Sequence, residues 1–151
     1  MAVVEFDYHL VGTGWSRARL AVGERAIDLT ASYLEDALGD LLLAVWLITD
    51  GDAESRVSWA EEPGEYRWLL QRSRDRVRIR VLALADIYDD APDAAGTLVF
   101  DGTCHLRAFV AAVVAGARRV LDQHGETGYR EKWVDHPFPT EHLLALEAAV
   151  A

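Results

Sequence analysis

Residues 55–87, SRVSWAEEPGEYRWLLQRSRDRVRIRVLALADI, decide the fold. Apolar and polar residues alternate on either side of two turn signals, Glu61-Glu62-Pro63-Gly64 and Arg74-Asp75, so the stretch reads as a three-stranded antiparallel meander. Chemistry chooses the register. A two-residue turn at Arg74-Asp75 sets Leu70 opposite Ile79 and Trp68 opposite Val81, which keeps apolar side chains on one face. A three-residue turn would set Leu70 against Arg78 and mix the faces. A four-residue first turn likewise pairs Trp59 with Tyr66 and Val57 with Trp68.

In that register Arg56, Arg67, Arg78 and Arg80 project from the side opposite Trp59, Trp68 and Ile79. From Arg67 to Arg80 there are six arginines against one acid, Asp75, so the segment carries +5 and the rest of the chain −15, within a net charge of −10. Two readings of this face stand side by side. In the first it is solvated, its arginine stems covering apolar surface and its guanidinium groups paired with Glu5, Asp7 or neighbouring strands. In the second it binds a protein partner or an anion, because arginine is favoured at interfaces and Leu69, Leu82 and Trp15 fall on the same side. The candidate partner-binding residues are therefore Arg56, Arg67, Arg78, Arg80, Arg17, Arg19, Trp15 and Leu69.

Upstream, Val4, Phe6, Tyr8 and Leu10 alternate with Glu5, Asp7 and His9, the pattern of a half-buried strand. Gly12-Thr13-Gly14 supplies a tight connection to a second strand carrying Ala18, Leu20 and Val22 against Arg17 and Arg19. A three-residue turn puts Asp7 opposite Arg19 and His9 opposite Arg17. A further turn at Gly23-Glu24-Arg25 predicts a short third strand over residues 26–29. Ser32 and Glu35 have the spacing of a capping box, opening a helix with Leu34, Ala37, Leu38, Leu41, Leu42, Val45 and Ile48 at helical spacing and ending near Asp50-Gly51.

Downstream, residues 97–100 predict one more short strand, and Asp101-Gly102-Thr103 leads into a second long helix over 104–124, closed by Gly125. An irregular tail carrying Tyr129, Trp133, His136 and Phe138 precedes a short last helix with Thr140 as its N-cap. The expected fold class is α+β: an antiparallel sheet of about six strands, made of an N-terminal hairpin and a three-stranded meander, with two long helices packed on one face and a short C-terminal helix. One domain spans 1–151, a length that buries a sufficient core without metal or disulfide.

The function classes narrow by composition. A net charge of −10 argues against phosphate-backbone binding. A single cysteine excludes an internal disulfide, and no apolar run reaches the roughly 18 residues of a membrane span. The N-terminus lacks the layout of a signal peptide, so a soluble, cytoplasmic protein is expected. Fourteen of the 15 basic residues are Arg, a usage expected of a high-GC bacterial genome, so arginine abundance alone is no sign of function.

Catalytic chemistry finds little footing. There is no phosphate loop, nucleophile elbow or metal-binding helix motif, and no catalytic, cofactor-binding or metal residue is assigned. Glu61, Glu62 and Glu65 crowd one turn, and Asp86, Asp89, Asp90 and Asp93 another, without calcium-loop spacing. Cys104, placed in the first turn of a helix, would have a lowered thiol pKa, but His105 points about 100° away on a helix and cannot serve it. An ordinary buried cysteine is the simpler reading. Trp46, Trp59 and Trp68 read as core, Trp15 and Trp133 as borders of a pocket or interface. The leading expectation is a protein-interaction module, immunity-like or regulatory or a homo-oligomer, acting through the arginine-bearing face. The alternative is a small-molecule binder or enzyme with a pocket near residues 129–139, His136 and Trp133 at its mouth.

Overall fold

A computed structural model describes residues 2–151. Its elements run β1 (Val4–Val11), β2 (Trp15–Val22), β3 (Arg25–Ser32), α1 (Ala37–Thr49), β4 (Glu54–Ala60), β5 (Glu65–Ser73), β6 (Arg76–Leu84), β7 (Thr97–His105), α2 (Leu106–Lys132) and α3 (Thr140–Val150). Two 3₁₀ turns, Ile87–Asp89 and Asp93–Ala95, lie between β6 and β7.

The strands form two antiparallel sheets, β1-β2-β3 and β4-β5-β6-β7, rather than one sheet of about six strands. The chain leaves β3 through α1, and β3 and β4 do not pair. Each sheet then has one strongly apolar face, and the two faces bury each other. Phe6 meets Trp68 edge-on with ring centroids 6.4 Å apart, and Tyr8 meets Trp59 at 6.0 Å. The helices flank this stack instead of lying together on one face: α2 runs along β1, α1 along β4, and α3 packs against both helices.

The strand registers match the local chemistry. Asp7 stands opposite Arg19, His9 opposite Arg17, Trp59 opposite Tyr66, Val57 opposite Trp68, Leu70 opposite Ile79 and Trp68 opposite Val81.

Element boundaries differ where a ladder outcompetes a helix signal. β3 extends to Ser32, paired with Trp15, so Ser32 is a buried strand residue and no capping box forms with Glu35. The helix starts four residues later, behind Asp36, and Trp59 Nε1 donates to the Ala37 carbonyl at 2.9 Å, tying that start to the aromatic core. β7 runs on through Asp101-Gly102-Thr103 to His105, because Cys104 and Gly102 pair with Val77 and Ile79 of β6. α2 is interrupted at Gly125 (φ 67°, ψ 173°), as the glycine led us to expect, but helix resumes beyond it, so Tyr129 is helical and not part of an irregular tail. Thr140 is the first residue of α3, not its cap.

Gly116 fixes the approach of α2 to β1. A Cβ there would stand 2.6 Å from the Phe6 carbonyl oxygen. Three residues on, Arg119 donates to that same oxygen at 2.8 Å and to Asp7 Oδ1 at 2.9 Å.

Candidate protein-interaction surfaces

Because the sheets stack through their apolar sides, their other sides face away from the shared core and away from each other. The eight candidate residues are thereby divided. Arg56, Arg67, Leu69, Arg78 and Arg80 lie on the outward side of β4-β5-β6-β7, and Trp15, Arg17 and Arg19 on the outward side of β1-β2-β3.

The larger sheet uses most of its arginines internally. Arg67 is 7% exposed. Its guanidinium forks onto Glu65, with Nε and a terminal nitrogen each 3.0 Å from a carboxylate oxygen, and donates to the Ala91 carbonyl and to Asp93 at 2.8 and 2.7 Å. Glu65 also accepts from Ser58 at 2.7 Å. Asp93 accepts from Arg56 at 2.6 Å, and these two arginines, Arg67 first, hold its carboxyl below the ordinary range. Leu69, 9% exposed, packs with Leu82, Leu84 and Ala91. The interleaved leucines are thus covered by the chain's own segment between β6 and β7. Arg78 forks onto Asp101 at 3.0 and 2.8 Å, lowering that carboxyl's pKa, and Arg80 donates to Gln71. The carboxylates that pair with this face are Glu65, Asp93 and Asp101, the last two expected in a loop and in a lead-in to a helix.

The smaller sheet's outward side is different. Glu5, His9, Val11, Trp15, Arg17, Arg19 and Asp28 are all exposed on it. Trp15 is 39% exposed. Arg19 forks onto Asp28 at 2.9 and 3.0 Å, whereas Arg17 has no hydrogen-bond or ion-pair partner among the described residues. Arg17 and Arg19 line a concavity of about 510 Å³ with Asp7, His9, Thr30 and Tyr66.

The remaining candidates resolve into structural roles. Cys104 sits on β7, on the buried face, and burial pushes its thiol up to about 11, the reverse of helix-terminus activation. Strand alternation sends His105 to the opposite side, 3.6 Å from Asp75. Asp86 accepts from the Tyr88 backbone at 2.8 Å and so caps a 3₁₀ turn. Trp133 and Tyr129 are wholly buried, so Trp133 stands at no pocket mouth. His136 Nε2 lies 2.8 Å from the Tyr33 carbonyl, fastening the residues after α2 to the connection before α1.

No family model matches the chain, and no curated protein does. Among solved structures it is similar to a chain of a CdiA-CT/CdiI toxin and immunity complex from Enterobacter cloacae. The TM-score is 0.52 at 6% sequence identity, and the alignment spans 76% of this chain and 99% of that one. At that identity the likeness is one of fold. No helix of the described residues is long and apolar enough to cross a membrane.

Proposed function

We propose that this chain is a protein-interaction module, of the immunity or regulatory kind, that engages a protein partner through the outward side of β1-β2-β3. The observation that carries the reading is Trp15, exposed on the same side of β2 as Arg17, which has no hydrogen-bond or ion-pair partner among the described residues. An aromatic next to a free guanidinium is the residue pair that concentrates binding energy at interfaces. The surrounding acidic surface orients a partner whose charges complement this local pattern, which speeds association and sets register. The fold likeness to a chain of a toxin and immunity complex supports a protein as the partner.

Affinity purification of the tagged chain from its source cells tests this. One protein is expected to co-purify in near-stoichiometric yield and to fall at least tenfold with Trp15→Asp plus Arg17→Glu, while the melting temperature of the variant stays unchanged. If that partner is toxic when expressed alone and harmless when co-expressed, the immunity form of the reading stands; if it is harmless alone, the regulatory form does. Equal recovery by wild type and variant, or no partner, would overturn the assignment.

A further inference from the structure

Helix α1 is apolar almost all the way round, and packing does not account for all of it. Leu38, Leu41, Leu42, Val45 and Ile48 are buried, but Leu43 and Leu47, one turn apart, remain 40% and 38% exposed. They share the outer side of the helix with Asp40, and with the buried Ala44 beneath them they face Val57 and Ser58 of β4 across a shallow groove of about 180 Å³. Glu35 and Asp40 close one end of that groove. Neither carboxylate, nor Asp36 beside them, forms an ion pair among the described residues, and the three do not meet in a metal-holding group. Arg56, at the rim, is already held by Asp93.

We propose that this groove between α1 and β4 docks a cationic amphipathic segment of a protein partner, its apolar side on Leu43 and Leu47 and a lysine or arginine at the Glu35–Asp40 end. The inference goes beyond the reading above and needs no contact with β1-β2-β3. Charge complementarity selects the occupant: an apolar strip ending in unpaired carboxylates, on a chain of net charge −10, rejects an acidic segment and attracts a basic one. The crowding is visible in protonation, since burial and then the neighbouring Asp36 and Glu35 push Asp40 up to about 6. An arriving cation relieves that repulsion. The distance from Asp40 to Leu47 along the helix is about 10 Å, enough for two turns of a docked helix.

The probe is a synthetic 14-residue helical peptide of lysine and leucine, titrated calorimetrically into the intact chain at low and moderate salt, with a glutamate-for-lysine version as control. Expected is saturable one-to-one binding of the lysine peptide only. Leu43→Asp plus Leu47→Asp should weaken it at least tenfold, and Glu35→Gln plus Asp40→Asn at least fivefold with a flatter salt dependence. Trp15→Asp plus Arg17→Glu should leave it unchanged, which separates this groove from the outward sheet face. All four mutated groove positions are at least partly solvent-facing, and unchanged circular dichroism confirms folding. Equal binding by wild type and groove variants would mean diffuse attraction to an acidic surface and would overturn the proposal. So would no binding, or a homodimer dissolved by Leu43→Asp, which would give the groove to a second copy of the chain.

Discussion

Glu65 and Arg67 stand two residues apart on β5 and both point away from the aromatic core, yet only 4% and 7% of them are exposed. A buried pair of this kind adds little net stability over an apolar pair of the same volume, but removing one member strands the other. Arg67→Ala, which leaves Glu65 buried without its fork, is expected to cost about 3–5 kcal/mol in urea denaturation. Glu65→Leu combined with Arg67→Met should recover most of it. Because Arg67 also holds the Ala91 carbonyl and Asp93, amide exchange in residues 87–96 should accelerate in both variants. Protection unchanged there would show that Leu69, Leu82 and Leu84 alone keep that segment down. Cys104 offers a second single-residue check. With its thiol pushed up to about 11 and its side chain buried, it should resist a disulfide reagent at pH 8 in the native protein and react fully in urea. Fast native labelling would contradict its place on β7.

Among the elements, the contact of α2 with β1 is the one most sensitive to volume. Gly116→Ala puts a methyl group into the Phe6 carbonyl and ring and is expected to cost about 1–3 kcal/mol. Gly128→Ala, later in the same helix, meets only the His124 Cβ at 3.5 Å and should be neutral or stabilising by up to ~1 kcal/mol. Thermal melts of the two variants make the comparison. Such long-range approaches are what the sequence conceals. Strand registers were legible because turn length and face alternation are local: Leu70 finds Ile79 for reasons contained within ten residues. Whether β3 pairs with β4 is not local, and one sheet was expected where there are two. Ser32 and Cys104 each carried a helix signal that a ladder partner, Trp15 or Val77, overrode. The exposure of the candidate surface was legible in part. Alternation alone put Trp15 and Arg17 on an outward face, but nothing local shows that Leu69 is covered by Ala91. The stripe at helical spacing already left Leu43 and Leu47 off the buried side of α1, but nothing local showed that they face β4 across a groove.

At the scale of the molecule, two sets of carboxylates respond to pH in opposite senses. Asp93 and Asp101, held low by their arginines, contribute stability that is present above the ordinary carboxylate value of 3.8 and lost as pH falls through their lowered values. Asp40 is raised from 3.8 to about 6, so its folded form binds a proton more readily than the unfolded chain does. Its unfavourable contribution is complete above about 6 and fades as pH drops toward 3.8. Asp40→Asn should therefore raise the urea midpoint at pH 8 and change it little at pH 4. An equal gain at both would show that the side chain acts through packing and not through charge.

The bonds from Arg119 to the Phe6 carbonyl, and from the Gly14 amide to the Lys132 carbonyl, join the beginning of the chain to its last third. During synthesis β1, β2 and β3 leave the ribosome well before the element that lies along β1, which begins only at Leu106. Until then that edge stands open, with an apolar face still waiting for the second sheet. A nascent chain of this kind offers a pairing template to its neighbours on a polysome. Translation slowed through β7 would lengthen that exposure, and the yield of folded protein should respond to codon choice over residues 97–105.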